Sequence, residues 1–532
     1  MKGTRNPQLA LTLAAPVALA IAGLPGTAAA FEVEMEGYLR QGFSMNLQNP
    51  RETPTNDAYQ LSMARSTMRL DTRVSFDDIT FTVIARGDRE YRTSYLRRLE
   101  RIEPNGAFSS SNDRIEDYYN NAEIREAYFD LPLTNRISTR VGKQQLAWGE
   151  TDFFQANDLI HGFDFSWRSF LEGENEELRK PLIMATFDID VPEVDGNLQV
   201  FFRPGFDRKQ DIGNTFDIEG GRWALQPNKG VDFQGSGGSR NFIPYDFEHP
   251  EGRYDDQTYG IRWSALTPNG IDYSLMYLRH HNPDPVHNPS GQLQRDLDPV
   301  VGDFNPYKGR VGDPGFGGSF IFPIVDTIGA TASGYAAWAD AVFSTELAYT
   351  FDKPYNFSSN RGQPIFAGGE GSSGIKEEDT MSIMLRMDKI VDLTGTFLRT
   401  SRPSFASIQV FNTWLPGYSR SDNLIELVGY EARQQRWSTF VTGILGLNYN
   451  NDRINPQLAV GSDVTGGGSL FVIPSVEFAY GDNWRILVEA DLFFPLGNRK
   501  KSDDDLDGSK DTRVIGYFDR NNQLYARFTY NF

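Results

Sequence analysis

QLYARFTYNF, at residues 523–532, alternates two kinds of side chain along its length. One face carries the apolar and aromatic residues Leu524, Ala526, Phe528, Tyr530 and Phe532. The other face carries mostly polar residues, Gln523, Tyr525, Arg527, Thr529 and Asn531. A period of two with unlike faces predicts a β-strand whose two sides meet different environments.

The aromatic residues of this stretch carry a resemblance. A terminal strand that ends on Phe532, with Tyr530 and Phe528 before it, resembles the closing strand of bacterial outer-membrane β-barrels. In those barrels the insertion machinery reads this terminus, so the resemblance implies that the three residues form an insertion signal. The alternative is an edge strand of a soluble sheet.

Residues 1–30 have the pattern of a cleaved secretory signal peptide. Lys2 and Arg5 supply the positive region, residues 9–24 are apolar, and small residues lead up to a cleavage site after Ala30. A membrane anchor is the alternative, but the apolar run contains a proline and is shorter than the ~20 residues of a spanning helix. We therefore expect export and leave this segment out of the fold.

Composition also favours a barrel in a membrane. The 532 residues have a net charge of −19 and a mean hydropathy of −0.46, yet 13% are aromatic and 50 are glycine. Transmembrane barrels combine these properties because only every second strand residue faces lipid. Cysteine is absent, so disulfides do not stabilise the chain. The acidic balance argues against nucleic acid as a partner.

The spacing of the connections gives the architecture. Short ones occur at residues 77–78, 133–136, 192–197, 268–270, 450–452 and 481–483. Long ones, rich in Gly, Pro, Asn and Asp, occur at residues 92–121, 149–178, 205–256, 282–318, 353–376, 416–434 and 495–512. This asymmetry predicts an all-β fold: a single transmembrane antiparallel β-barrel of about 16–18 strands over residues 31–532, with short periplasmic turns and long extracellular loops. The predicted location is the outer membrane of a Gram-negative bacterium.

Charged residues recur on the polar face of the first strands. They are Glu32, Glu34, Glu36, Arg65, Arg69, Arg73, Arg86 and Glu90. In a barrel of this size they are predicted to line the lumen, where they would select solutes by charge. The alternative is that opposite charges on neighbouring strands brace the inner wall. An open lumen and a plugged one both fit the sequence.

One loop has part of a calcium-binding pattern. Asp503, Asp505 and Asp507 precede a glycine, as in the first half of a calcium loop, but the closing glutamate is missing. A solvated acidic loop that touches lipopolysaccharide is the alternative. Apart from this calcium ion no cofactor is expected.

Catalysis has little support in the sequence. No catalytic motif is present, and the five histidines are interpreted as solvated loop residues. We therefore expect no enzymatic activity.

Residues 140–155 read RVGKQQLAWGETDFFQ, after a hairpin containing REAYFDL at 125–131 and before ELRKP at 177–181. This pattern resembles the proteobacterial outer-membrane family catalogued as domain of unknown function 1302. The motif residues are Arg140, Gly142, Trp148, Gly149 and Glu150. We expect Trp148 to lie in an interfacial aromatic ring, Gly149 to permit a turn, and Glu150 to meet arginine or backbone donors.

The resemblance also implies partners: an inner-membrane exporter and a periplasmic carrier of lipid-like compounds. Three hypotheses for function remain. The leading one is a passive outer-membrane channel or translocation barrel, surrounded by outer-membrane lipids. The second is a plugged structural or surface-binding barrel. The third is a barrel-borne enzyme that modifies lipid.

Overall fold

The computed structural model describes most of residues 31–532. The described residues are 31–49, 55–99, 119–149, 151, 154–165, 168, 171–172, 174–208, 211–215, 257–284, 286–287, 320–357, 374–426, 432–465, 468–494, 496, 515, 518 and 520–532. The predicted signal peptide, the predicted calcium-loop residues Asp503, Asp505 and Asp507, and Glu150 of the family motif lie outside them.

Eighteen strands of the described residues form the wall. The first nine are β1 (Phe31–Asn46), β2 (Leu61–Phe76), β3 (Ile79–Glu90), β4 (Asn121–Thr134), β5 (Ile137–Gln144), β6 (Leu182–Val191), β7 (Gly196–Arg203), β8 (Thr258–Leu266) and β9 (Asp272–His281). The others are β10 (Ile324–Ala336), β11 (Ala341–Phe357), β12 (Gly374–Val391), β13 (Ser404–Trp414), β14 (Trp437–Gly446), β15 (Ile454–Asp463), β16 (Ser469–Tyr480), β17 (Trp484–Phe494) and β18 (Gln523–Asn531).

The sheet is antiparallel and closes on itself. Each wall strand pairs with the next, and β1 pairs with β18 from Tyr38 opposite Asn531 to Asn46 opposite Gln523. Beyond that register, Gly37 and Phe532 exchange two backbone hydrogen bonds. Closure removes the unpaired edges that an open sheet would present. The predicted all-β barrel is confirmed, at the upper limit of the predicted strand number.

The alternation of side chains along β1 has the predicted period. Val33, Met35 and Leu39 point outward and are 48%, 61% and 48% exposed. Tyr38 and Arg40, at alternate positions of the strand, point inward and contact residues inside the barrel. One face of the strand is therefore apolar and external, while the other is polar and internal.

Short elements complete the described fold. They are helices α1 (Ser94–Leu99) and α2 (Asn175–Leu178), 3-10 turns at Pro192–Val194 and Arg420–Asp422, and short strands at Val286–His287, Phe320–Ile321, Leu424–Glu426 and Ala432–Arg433. None of the helices in the described residues has the length and apolar character needed to cross a membrane.

Candidate functional site

The connection between β5 and β6 runs through the interior of the barrel. We call residues 145–181 the crossing segment. Its described residues contact wall strands on opposite sides, from β1–β3 and β16–β18 to β11–β14. Arg125 of β4 donates hydrogen bonds of 2.8 Å to the backbone oxygens of Glu176 and Arg179, which fixes the end of α2 beside the wall. The site is therefore built by one loop and most of the ring.

Glu177 of the crossing segment connects three neighbouring strands. It accepts a hydrogen bond of 2.8 Å from the Tyr38 hydroxyl and pairs with Arg69 at 3.3 Å and with Arg86 at 3.0 Å. Burial acts to raise the pKa of Glu177, but Arg86, Arg40 and the Tyr38 hydrogen bond together lower it. The carboxylate is therefore held in its charged form.

Two more glutamates of the crossing segment face arginines on β18 and β1. Glu172 pairs with Arg527 at 3.2 Å. Glu174 lies 3.7 Å from Arg40 and 3.8 Å from Arg527, beyond hydrogen-bond distance. These glutamates, with Glu177, give the segment an acidic edge that opposes a row of wall arginines.

Arg168 anchors the crossing segment to β17 and β18. Its guanidinium lies 2.5 Å from Glu489 and 3.5 Å from Asp491, and it stacks over the Tyr525 ring at 3.8 Å. Only 2% of the side chain is exposed. A buried cation with two carboxylates and an aromatic face is well compensated, so this contact fixes the segment in place.

On the far side of the barrel the crossing segment contacts β11, β13 and β14. The backbone N–H of Asn157 donates to Glu346 of β11 over 3.0 Å. Phe154 packs against the rings of Phe411 and Phe440, with centroids 5.6 and 4.6 Å away. A polar anchor and an aromatic anchor thus hold the same stretch.

The middle of the crossing segment is stabilised by buried polar groups. Asp158 forms an ion pair with Arg179, and burial raises the pKa of Asp158. His161 Nε2 accepts a hydrogen bond from Leu146 N, and its Nδ1 lies 2.8 Å from the Lys180 carbonyl oxygen. These contacts assign the proton to Nδ1. Burial, reinforced by Arg179, lowers the pKa of His161 to about 3, so the ring is neutral.

Trp148 of the family motif is inside the barrel, which corrects the expectation of an interfacial ring. Its side chain is 1% exposed, packs edge-on against Phe201 of β7 at 5.4 Å, and donates to Gln199 over 2.6 Å. The prediction was wrong because β5 ends at Gln144 and the chain then turns inward.

Both described glycines of the motif occupy crowded positions. Gly142 has a φ of +141°, and a Cβ there would lie 2.2 Å from Ala127 O. A Cβ on Gly149 would lie 2.7 Å from Asp158 N and 3.0 Å from Glu346 Oε2. Gly149 therefore allows close packing of the crossing segment. Its φ is not positive, so glycine is needed here for space and not for a left-handed backbone conformation.

Arg140 of the motif stays on the wall. It pairs with Asp130 of β4 at 2.7 Å and stacks over the Tyr128 ring at 4.1 Å. This contact joins β4 to β5.

The predicted lumen residues separate into two groups. Arg65, Arg69, Arg86 and Glu90 are engaged in contacts: Arg65 lies 3.4 Å from Asp88, and a carboxylate oxygen of Glu90 accepts from Ala64 N over 3.4 Å. A second group remains open to solvent, with Arg73 between two glutamates at 3.8–4.0 Å; its members are Glu32, Glu34, Glu36 and Arg73. The first group braces the interior, whereas the side chains of the second are exposed to solvent.

The histidines differ from the expectation of solvated loop residues. His161, His280 and His281 are 1%, 2% and 7% exposed, and the last two lie on β9. The described residues contain no group of three His, Cys, Asp or Glu side chains placed to hold a metal ion.

A cavity of about 390 Å³ lies against the seam between the first and last strands, with α2 and the chain just before it on one side. It is lined by four arginines, five acidic residues and several polar or aromatic residues. They are Glu36, Gly37, Tyr38, Arg40, Arg69, Asp71, Glu174, Glu177, Glu477, Arg485, Arg527, Thr529, Asn531 and Phe532. Most of the wall residues in this set lie in the halves of their strands nearest the short turns, with Arg40 just past the middle of β1 and Arg527 at the middle of β18.

Comparison with protein families identifies the chain. The model of the family described as "Protein of unknown function (DUF1302)" matches residues 10–532. The chain belongs to the DUF1302 family. None of the curated proteins compared with this DUF1302 chain matches it.

Several solved structures are similar in fold to this DUF1302 protein. The outer-membrane protein OpdK of Pseudomonas aeruginosa has 7% identity and a TM-score of 0.44, over 94% of this chain and 99% of its own. OccAB1 of Acinetobacter baumannii has 7% identity and a TM-score of 0.43, over 94% and 95%. The outer-membrane channel DcaP of the same organism has 10% identity and a TM-score of 0.37, over 95% and 99%.

Proposed function

We propose that this DUF1302 protein is a passive outer-membrane channel whose bore is narrowed by the crossing segment. The observation that carries the proposal is the closed ring of eighteen strands with a charged inner face. Barrels of 16–18 strands are wide enough to enclose water. Glu34, Glu36 and Arg73 keep 64%, 66% and 52% of their side chains exposed, as groups bordering an aqueous path would.

The orientation follows from the connections. The short turns would face the periplasm and the long connections the outside of the cell, as in outer-membrane barrels generally. The C-terminal residues Phe528, Tyr530 and Phe532 would serve as the insertion signal. Transfer of lipid-like compounds from an inner-membrane exporter remains part of the proposal, and contact with lipopolysaccharide would involve the long connections.

A second candidate, the plugged barrel, is favoured by one observation. The crossing segment contacts strands on opposite sides of the ring, and it does so through both ion pairs and aromatic packing. A segment fixed in this way blocks solutes if the space beside it is too narrow. The channel and the plugged barrel differ in whether ions pass.

Single-channel recording in planar bilayers distinguishes the two. The purified protein is expected to give steady openings, and Arg73→Glu is expected to shift the reversal potential in a salt gradient toward cation selectivity. Arg136→Glu is the matched control, because Arg136 is exposed at a short turn and pairs only with Glu193 among the described residues. Silence of correctly folded protein in bilayers would reject the channel and leave the plugged barrel.

A further inference from the structure

The cavity at the seam contains a buried arginine with unused hydrogen-bonding capacity. The Arg40 side chain is one tenth exposed, and its Nε is buried without a hydrogen-bond partner. Its one ion pair in the described part of the chain is with Glu174, whose oxygen is 3.7 Å away. A buried donor without a partner is unfavourable, and a ligand that accepts hydrogen bonds from this guanidinium would compensate part of that cost.

A second arginine in the cavity forms no hydrogen bond to a carboxylate in the described residues. Arg485 donates from Nη1 to the backbone oxygens of Gly481 and Trp484, at 3.2 and 2.9 Å, and forms no ion pair within the described residues. Arg69 and Arg527, by contrast, are engaged by Glu176 and Glu172. Arg40 and Arg485 are therefore the two guanidinium groups of the cavity that have no hydrogen-bonded carboxylate in the described residues.

The acidic lining residues limit what that anion can be. Asp71 accepts two hydrogen bonds from Arg69, and Glu177 is held by Tyr38 and Arg86. Glu477 has no ion pair in the part of the chain that the structure describes. A ligand with a second negative charge would be repelled by the carboxylates of the lining, so the cavity favours an anion with a single charge.

We propose that this cavity binds a small monocarboxylate, whose carboxylate accepts hydrogen bonds from Arg40. This inference rests on the proposed channel function, because it names the class of solute that would bind inside the channel. A volume of about 390 Å³ fits a short organic acid, and the rings of Tyr38 and Phe532 offer apolar contact to its chain. A planar guanidinium matches a carboxylate in geometry as well as charge.

Calorimetric titration of the folded protein in detergent tests the proposal with hexanoate as the probe. Hexanoate is expected to bind, while its neutral amide, hexanamide, and the dianion adipate bind at least tenfold more weakly. Arg40→Gln is expected to weaken hexanoate binding at least tenfold. Arg136→Gln is the matched control, because it removes the same charge at an exposed short turn outside the cavity lining, and it is expected to leave the affinity unchanged.

A second variant is designed to gain affinity, because weaker binding by Arg40→Gln could also result from misfolding. Glu174 is the one carboxylate that forms an ion pair with Arg40 in the described residues, and its side chain is 53% exposed, so we expect the fold to tolerate Glu174→Gln, which removes this competing charge. Hexanoate is expected to bind this variant several-fold more tightly. No change in Glu174→Gln together with no change in Arg40→Gln would overturn the proposal, as would binding of hexylamine in place of hexanoate.

The binding readout is independent of ion flow. Hexanoate binding by a protein that is silent in bilayers would reject the channel and keep the site. Steady conductance without hexanoate binding would reject the site and keep the channel.

Discussion

Gly37 and Phe532 donate to each other's carbonyl oxygens, with both N···O distances at 3.0 Å. This reciprocal pair is the last bond of the seam at the short-turn end, because β1 continues to Phe31 paired with β2 alone. The ring is therefore closed by residues that are 495 positions apart, and its stability depends on how closely the two backbones approach.

Substitution at Gly37 is expected to weaken the seam. A Cβ there would lie 2.3 Å from Arg69 O on β2 and 3.0 Å from the Phe532 ring, so Gly37→Ala displaces β1 from both of its neighbours at a cost of about 1–3 kcal/mol. When samples are heated to a series of temperatures before electrophoresis, the temperature at which the band of folded protein disappears should fall. Gly87→Ala on β3 is the control, because a Cβ added there would have no atom within 4 Å. Equal effects of the two variants would contradict the role of the seam.

Removal of the Glu177 charge is expected to loosen the crossing segment. Glu177→Gln leaves Arg86, which is 7% exposed, with Asp88 as its remaining carboxylate, and the loss of charged hydrogen bonds costs about 2–3 kcal/mol. Current noise in bilayers should increase and protease should cut the segment faster. Glu193→Gln, which removes an exposed partner of Arg136, should change neither. If Glu177→Gln changes neither the current noise nor the rate of proteolysis, the other contacts of the crossing segment are enough to hold it in place.

Gly149→Ala separates the crossing segment from the wall. The added methyl group would meet Asp158 N and Glu346, so the segment must shift while the eighteen-strand ladder stays paired. Conductance is expected to change with no large change in the thermal stability of the barrel. Gly395→Ala, in a connection with open space around the position, is the control. Unaltered conductance of Gly149→Ala would mean that the segment does not border the ion path.

His161 predicts a dependence of stability on pH. Its folded-state pKa of about 3 lies below the unfolded value near 6.5, so the unfolded chain binds more protons between these limits. Stability from this residue is complete above pH ~6.5 and falls as the pH drops toward 3, by about 2 kcal/mol at pH 5. Unfolding midpoints at pH 7 and pH 5 should differ less in His161→Gln than in the parent. The same difference in both would assign the pH effect to other groups.

The wall could be predicted from the sequence because strand alternation is local. Val33 and Glu34 differ in polarity, and that difference alone assigns them to opposite faces. The interior contacts could not be predicted in this way. Glu177 meets Arg86 across 91 positions and Arg168 meets Glu489 across 321, and a period of two does not specify which partner a charged residue meets.

The position of Trp148 shows the same limit. A tryptophan at the end of a strand suits the membrane interface as well as a packed interior, and the two cases differ only in the direction of the chain after Gln144. That direction depends on contacts with β7 and β8, such as the close approach of the Trp148 ring to Gly260. The absence of a side chain at Gly260 makes room for this ring. The sequence alone does not reveal that role, because it does not show which residue packs against Gly260.

The crossing segment connects different sides of the barrel wall and holds them at fixed positions relative to one another. Asn157 is bonded to Glu346 on one side and Arg168 to Glu489 on another, within a single stretch of chain. A deformation of the barrel cross-section would have to stretch or break these hydrogen bonds. In the proposed channel, the opening beside the crossing segment would therefore keep a constant size and would exclude larger solutes instead of widening to admit them.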